Sequence, residues 1–473
     1  MSNKKSKKFN NPPKERKVEK RFRVQIKFKN QDLNNLRKKI LADTSHEYYA
    51  CLLAKKNIIG DLCIITVRDI YYPDYEYYKN QSVVSLRVSG NFLRERLLEI
   101  DERIDVDTMI DVHTHPFSKG SVWFSGTDDR DEINFVNYLA DEGADISYAS
   151  IVLSQTDYQA RYWFLEKGRV VKVPAIIKTQ KPSENIPSSD LKVGTDKKIV
   201  DEMFNRSVLA LGLDNMRLIT GNQKISVVGV GGIGSIIAEN LIHMGFNYIN
   251  LIDFDKLEIS NLNRIVAATY EDAINERIKV EAIKDNLLKI NPKATINALN
   301  NNVFDSEVEK FLADSDWIMV ATDNHASRFQ IQKLAFKYYV PFITAGVNIT
   351  VDDEKIQDMS GEIILVRIGD RVCLSCLHRL RYNDIAKDIH PDKNVREGLV
   401  QKGYVRGADV KEPAVKTLNS IIANLATDTL INQYTERQRD VIIQVYENNL
   451  SPTIYEDIES VKHRNLNCGT CDV

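Results

Sequence analysis

At 473 residues the chain is longer than one ordinary hydrophobic core supports, so length alone predicts two or three domains. Hydrophobic residues make up 43% and charged residues 27%, a soluble globular composition, and a formal net charge of −2 gives no general pull towards nucleic acid or membrane. No apolar run reaches the roughly 18 residues that a membrane-spanning helix needs, and nothing near the N-terminus reads as a signal peptide, so a cytoplasmic location is expected.

Residues 1–29 hold twelve Lys and Arg, opposed only by Glu15 and Glu19, and apolar residues are almost absent before Val18. A segment of that kind cannot offset the entropy of ordering itself, so residues 1–21 are expected to be a basic disordered tail. From Phe22 the pattern becomes a mixed α+β block. Alternation of Phe22, Val24, Ile26 and Phe28 predicts a strand, and Leu33, Leu36 and Ile40 predict one face of a helix over 32–41. Strands are expected over Tyr48–Leu53, Leu62–Val67, Val83–Leu86, Thr108–His113, Ser147–Leu153 and Tyr158–Phe164, and the block closes near Lys178. Cys51 and Cys63 fall in its apolar runs and read as buried thiols.

Within this block, residues 110–131 read IDVHTHPFSKGSVWFSGTDDRD. Alternate residues of a strand point to one face, so His113 and His115 can meet one metal. Asp128 supplies a third ligand and leaves a fourth position open, as a catalytic zinc requires. Together with Pro116 and Ser125-x-x-Asp128, the stretch resembles the JAMM motif of the JAB/MPN zinc isopeptidases. That resemblance covers residues 22–178 and implies an α+β, cytidine-deaminase-like domain. It implies Glu47, which opens the run EYYACLLA, as general base, and Ser125 as donor to the developing oxyanion. One departure is visible: nine residues separate His115 from Ser125, more than the family usually has. A scaffold with a catalytically dead first domain is the alternative.

Residues 179–197 are rich in Pro, Ser, Asn and charge and read as a linker. Beyond it, strands and helices alternate, which predicts an α/β domain with a parallel sheet over 198–473. Residues 225–235, ISVVGVGGIGS, run from an apolar strand into Gly229, Gly231, Gly232 and Gly234 and then a helix. Glycines there let the backbone turn sharply and approach a phosphate at a helix N-terminus. Asp253 ends the next strand, where an acid meets a ribose hydroxyl. Up to this point an NAD-dependent oxidoreductase fits equally well.

The segment LIDFDKLEISNLNRI then places Asp255, Asn261 and Arg264 just past Asp253, and Lys279 follows. Such a set suits a triphosphate, which needs cations around it and a carboxylate for Mg²⁺. Asp323 ends the strand expected over Trp317–Thr322 and, taken alone, reads as a cap for the helix after it. Jointly, VVGVGGIGS, LIDFDKLEISNLNR, Lys279 and VATDN resemble the ThiF/MoeB-type adenylating superfamily that includes the ubiquitin-activating enzymes. The resemblance implies a Rossmann-like doubly wound domain that uses ATP and Mg²⁺, with Asp253 on the ribose, Asn261, Arg264 and Lys279 on the phosphates, and Asp323 on Mg²⁺. It also implies a homodimer in which Arg206 reaches the partner's ATP site.

Two Cys-x-x-Cys pairs, Cys373/Cys376 and Cys468/Cys471, offer four thiolates for a structural Zn²⁺, with redox activity as the rival reading. Between Leu377 and Asn467 there is no cysteine to carry an acyl group. An activating and a cleaving domain on one chain imply a small ubiquitin-like or sulfur-carrier protein with a C-terminal glycine as partner. The pathway is expected to be of a bacterial ubiquitin-like type, antiphage defence among the options, or sulfur transfer for cofactor or cysteine synthesis.

Overall fold

The computed structural model describes residues 22–82, 85–118, 120–166, 169–184, 201–389 and 413–471. The basic tail 1–21 and the later part of the expected linker lie outside these.

Seven strands form the N-terminal half: β1 (Arg23–Lys27), β2 (Tyr49–Ile59), β3 (Leu62–Tyr71), β6 (Thr108–Thr114), β7 (Ser147–Leu153), β8 (Tyr158–Glu166) and β9 (Arg169–Lys178). They close into a barrel in the order β1-β3-β2-β6-β7-β8-β9. Alternation along the strands drives the layering. Ala50, Leu52, Ile110 and Val112 pack towards the helix Asp32–Ile40, while Cys51, Leu53 and Met109 pack towards the helices Gly90–Glu102 and Gly126–Asp141. The strand expected over Val83–Leu86 is instead split. Two short strands, β4 (Tyr78–Gln81) and β5 (Leu86–Val88), pair with each other beside the barrel, and Val83 and Val84 lie outside the described residues.

The C-terminal half is an eight-stranded sheet. Its strands are β10 (Lys224–Val228), β11 (Tyr248–Ile252), β12 (Thr295–Leu299), β13 (Trp317–Val320), β14 (Phe342–Asp352), β15 (Lys355–Val366), β16 (Ile443–Glu447) and β17 (Thr453–Glu456). The order is β12-β11-β10-β13-β14-β15-β16-β17, parallel as far as β14 and antiparallel beyond. Both faces are covered, as the near-continuous apolar strands require. Ile225, Val227, Ile249 and Leu251 pack with the helices Gly232–Met244, Lys279–Ile290 and Lys416–Thr435. Val228, Ile252, Ile318 and Val320 pack with the helices Ser306–Ala313 and His325–Tyr338.

The two halves share a buried seam. Leu62 and Ile64 of β3 are fully buried in the same cluster as Val366 and Phe342 of the large sheet. Gln180, expected in the linker, is 1% exposed; its amide donates to the carbonyls of Phe28 and Tyr339 and accepts from the Ile368 N–H. A band of charge runs along the same seam. Asp314 pairs with Lys224 at 2.5 Å and Arg23 at 3.1 Å, Asp316 pairs with Lys178 at 2.6 Å, and Lys27 donates to the Ala313 carbonyl at 2.9 Å.

Burial pushes the Lys27 ammonium down to about 7, although Asp316 pulls the other way. Between that value and the ordinary lysine value of about 10.4, the unfolded chain holds a proton that the folded chain has shed, so stability should rise with pH across this window. Lys27→Met is expected to remove that rise. Urea unfolding of the two proteins from pH 7 to pH 9 checks it, and parallel profiles would contradict the assignment.

Candidate functional site

Where the strand order of the large sheet reverses, between β10 and β13, the chain leaves a cavity of about 1130 Å³ at the carboxyl ends of the strands. Gly229, Gly231 and Gly232 line it after β10, Asp253, Asp255 and Asn261 after β11, and Asp323 after β13. Arg264 and Lys279 complete the wall. The helix after the glycines begins at Gly232, so its N-terminal amides border the cavity.

The glycines are needed for different reasons. Gly229 has φ +82, and a Cβ on it would lie 2.8 Å from the Ala321 carbonyl. Gly234 does not line the cavity; a Cβ there would meet the Gly229 carbonyl at 1.8 Å, so its role is to let the helix close on the loop. Asp253 ties the loop down, accepting from the Val230 N–H at 2.9 Å with one oxygen and from the Asp255 N–H at 2.9 Å with the other. Burial raises its pKa, partly countered by Lys279.

Charge is arranged unequally around this cavity. Lys279, 9% exposed, is paired with Asp255 at 2.6 Å. Arg264 donates to the Ser260 carbonyl and the Asn263 side chain, and among the described residues it has no carboxylate partner. Asn261 accepts from the Glu258 N–H at 3.2 Å. Asp323 is not the cap of the following helix; Asn324 is, accepting from the Ser327 N–H at 2.8 Å, which leaves Asp323 to the cavity. Arg206 stands apart, exposed on the helix Asn205–Leu211 and outside the cavity wall. Sequence reading missed Thr322 and Asn419, both cavity residues that carry a buried side-chain oxygen with no hydrogen-bond partner among the described residues.

In the barrel, β6 brings His113 to within 3.6 Å of Asp128. His115, one residue past the strand, has Glu47 at 4.0 Å. Ligand atoms of His113, His115 and Asp128 lie within 4.8 Å of one another, and His113 Nε2 is buried with no hydrogen-bond partner among the described residues. Ser125 and Asp128 form a capping box on the helix Gly126–Asp141: Ser125 Oγ accepts from the Asp128 N–H at 3.2 Å, and Asp128 Oδ2 accepts from the Ser125 N–H at 2.5 Å. That box fixes Asp128 so that its other oxygen faces His113.

The aromatic wall is equally fixed. Phe124 meets His113 edge-on at 5.8 Å and lies 3.6 Å under the Arg161 guanidinium, which Glu132 holds at 2.9 Å. Burial lifts the Glu47 carboxyl to about 7, while His115 is pulled down to about 4 by burial and by His113. Two imidazoles and a carboxylate with one orphaned ring nitrogen between them fit a zinc site.

The four distal cysteines also converge. All are buried and unbridged, their sulfurs lie within 4.8 Å of one another, and Cys373 Sγ is 3.6 Å from Cys468 Sγ. A tetrahedron with Zn–S of about 2.3 Å has edges of about 3.8 Å, so the spacing suits a metal and is far from an S–S bond. Thiols of Cys373 and Cys471 hydrogen-bonded to Cys376 hold it low, and the same crowding pushes Cys471 up. Without a cation these sulfurs cannot ionise together. Cys51 and Cys63 are buried in the barrel, and burial raises both thiols.

Comparison with known proteins gives a family match over the C-terminal half. The model of the ThiF family matches residues 204–470. The molybdopterin-synthase adenylyltransferase of Escherichia coli (strain K12) is 31% identical over 179 residues, 37% of this chain and 68% of that protein. Ubiquitin-like modifier-activating enzyme 5 of Caenorhabditis briggsae is 27% identical over 247 residues, 48% of this chain and 54% of that protein, so the chain spans about half of it. A solved structure of E. coli MccB with ATP is 19% identical and aligns over 58% of this chain and 75% of that one with a TM-score of 0.45.

For the cysteine cluster, Cys376→Ser is expected to lower bound zinc by one ion per chain and to bring thermal unfolding down. Metal analysis beside calorimetry measures both, and a variant with unchanged zinc would show that the sulfurs hold none.

Proposed function

The chain belongs to the ThiF family, and on that footing we propose that it is an ATP-dependent adenylating enzyme acting on the C-terminal carboxylate of a ubiquitin-like or sulfur-carrier protein. The observation that carries the reading is that Gly231, Asp253, Asn261, Arg264, Lys279 and Asp323 all face one cavity at the switch point of the sheet. In this reading the phosphates lie against the N-terminus of the helix Gly232–Met244, with the ribose towards Asp253. Arg264 has no carboxylate partner among the described residues and meets the phosphates directly, whereas Lys279 is held by Asp255 and exchanges that partner for a phosphate oxygen. Asp323 would hold Mg²⁺, which would neutralise phosphate charge when bound.

A carboxylate oxygen of the carrier forms a bond to the α-phosphorus of ATP. The bond from that phosphorus to the bridging oxygen breaks, and pyrophosphate leaves with the electron pair. The protein's part is alignment and charge stabilisation, since this transfer needs no covalent help from it. No cysteine occurs between Leu377 and Asn467, and the described cysteines are all buried. The acyl-adenylate therefore passes to an external nucleophile.

Arg206 is assigned to the ATP site of a second copy. It is exposed, and Leu209 and Met203 beside it are 88% and 45% exposed, an apolar margin suited to a homodimer.

The barrel supports a second activity, resting on the separate cluster of His113, His115 and Asp128. We read it as a zinc-dependent isopeptidase of JAB/MPN type that cleaves bonds to, or trims, the same kind of carrier. Zinc there would polarise the scissile carbonyl and acidify water. Glu47, 4.0 Å from His115, takes and returns the proton, and Ser125 stands at the helix start to donate to the oxyanion. Activation and cleavage of one carrier suit a bacterial-type conjugation pathway, antiphage defence included, or processing of a sulfur carrier.

Two outcomes are expected. With Mg²⁺ and a β-grasp protein ending in Gly-Gly, the chain should exchange labelled pyrophosphate into ATP. Arg206→Ala and Lys279→Ala should each cut the rate by about 100-fold, and a mixture of the two variants should recover part of it; no recovery would remove Arg206 from the partner's site. Secondly, His113→Ala should abolish cleavage of a linear carrier fusion while pyrophosphate exchange persists, and continued cleavage would dispose of the zinc reading.

A further inference from the structure

We propose that Gln81, on the small hairpin beside the barrel, is a positioning residue for cleavage: its side-chain amide fixes the peptide group of Glu47 against the strand that carries His113. This rests on the isopeptidase reading above and adds a residue that belongs neither to the motif nor to the metal cluster.

Glu47 lies just before β2, and the pairing of β2 with β6 begins only at Tyr49, opposite His113. The ladder of the sheet therefore does not hold Glu47. Even so, Glu47 is 6% exposed and its carboxylate stands 4.0 Å from His115. The peptide group between Glu47 and Tyr48 shows what fixes it, because it is gripped from both sides. Its carbonyl accepts from Gln81 Nε2 at 3.0 Å, and its N–H donates to Thr114 Oγ1 at 2.9 Å. Thr114 lies between the two histidines, is fully buried, and donates its own N–H to the Tyr48 carbonyl at 3.1 Å. One anchor is thus the histidine strand itself, and the other is the β4–β5 hairpin.

The hairpin holds the same stretch at two further points. The Glu47 N–H donates to the Ser82 carbonyl at 2.8 Å, and the Tyr49 N–H to the Tyr78 hydroxyl at 3.4 Å. A two-stranded hairpin is marginally stable in water by itself, so it and the Glu47 segment order one another. Gln81 supplies the side-chain contact to Glu47 within this set. Without it, the peptide plane is free to rotate about the Thr114 anchor, and the Glu47 side chain swings with it. For a group that transfers a proton, a misplacement of about 1 Å costs up to about 100-fold.

Two substitutions at this position test the assignment. Gln81→Met keeps the length and removes the donor, and Gln81→Lys restores an N–H at similar reach. The substrate is a linear fusion of a β-grasp protein ending in Gly-Gly to a reporter. Gln81→Met is expected to lower kcat about tenfold while KM stays within about twofold of wild type. Bound zinc per chain and pyrophosphate exchange should stay as in wild type. Peptides covering Glu47 and Tyr48 should take up deuterium faster in this variant. Gln81→Lys should recover part of kcat and slow the exchange again. An unchanged kcat in Gln81→Met, or a lower kcat with unaltered exchange at Glu47, overturns the inference and leaves the isopeptidase reading standing. A fall that comes with lost zinc, or that Gln81→Lys does not recover, makes Gln81 a structural residue and overturns it too. A wild type that binds zinc and never cleaves refutes the isopeptidase reading, and this inference with it.

Discussion

The large sheet depends on one contact that tolerates no added atom. The helix Gly232–Met244 closes on the loop before it so tightly that a Cβ on Gly234 would fall 1.8 Å from the Gly229 carbonyl. Close approach there turns the helix N-terminus into the floor of the cavity, and Asp253 locks it by accepting from the Val230 N–H. The same carboxylate orders the turn after β11, which carries Asp255, and Asp255 in turn holds Lys279. One packing constraint thereby fixes the loop, the acid and the lysine relative to each other. Such an interlocked arrangement suits a reaction that proceeds by alignment.

The barrel solves a related problem with different means. Its candidate metal ligands come from a strand end and a helix start, and the capping box of Ser125 and Asp128 supplies the rigidity that a loop would lack. Arg161, fixed by Glu132, presses on Phe124, and Phe124 on His113. Both sites thus draw their precision from ordinary fold-stabilising interactions. Ser125 shows how the two uses coincide, since a residue that caps a helix is also held at the rim of the site.

Much of this was legible in the sequence because its signals are local. A glycine loop after an apolar strand, alternate histidines at a strand end and paired cysteines three positions apart each need only a short window. The converging wall of Arg264, Lys279 and Asp323 followed from motif order. What stayed hidden depends on contacts remote in the chain. Asn419 sits in an unremarkable helical stretch and meets Gly232 only through the fold. Polar composition made Gln180 look like linker, yet it hydrogen-bonds three separate backbone segments. Strand β9 was missed because Pro174 inside its run argues against a strand. The junction of the two halves was equally invisible, since Leu62 and Ile64 look like any strand interior.

That junction bears on how the two sites stand to one another. With Leu62 and Ile64 embedded beneath the large sheet and Gln180 pinning the crossing chain, neither half can swing towards the other without opening a common interior. On the proposed reading, a carrier whose tail visits both sites would have to let go of one and dock again at the other.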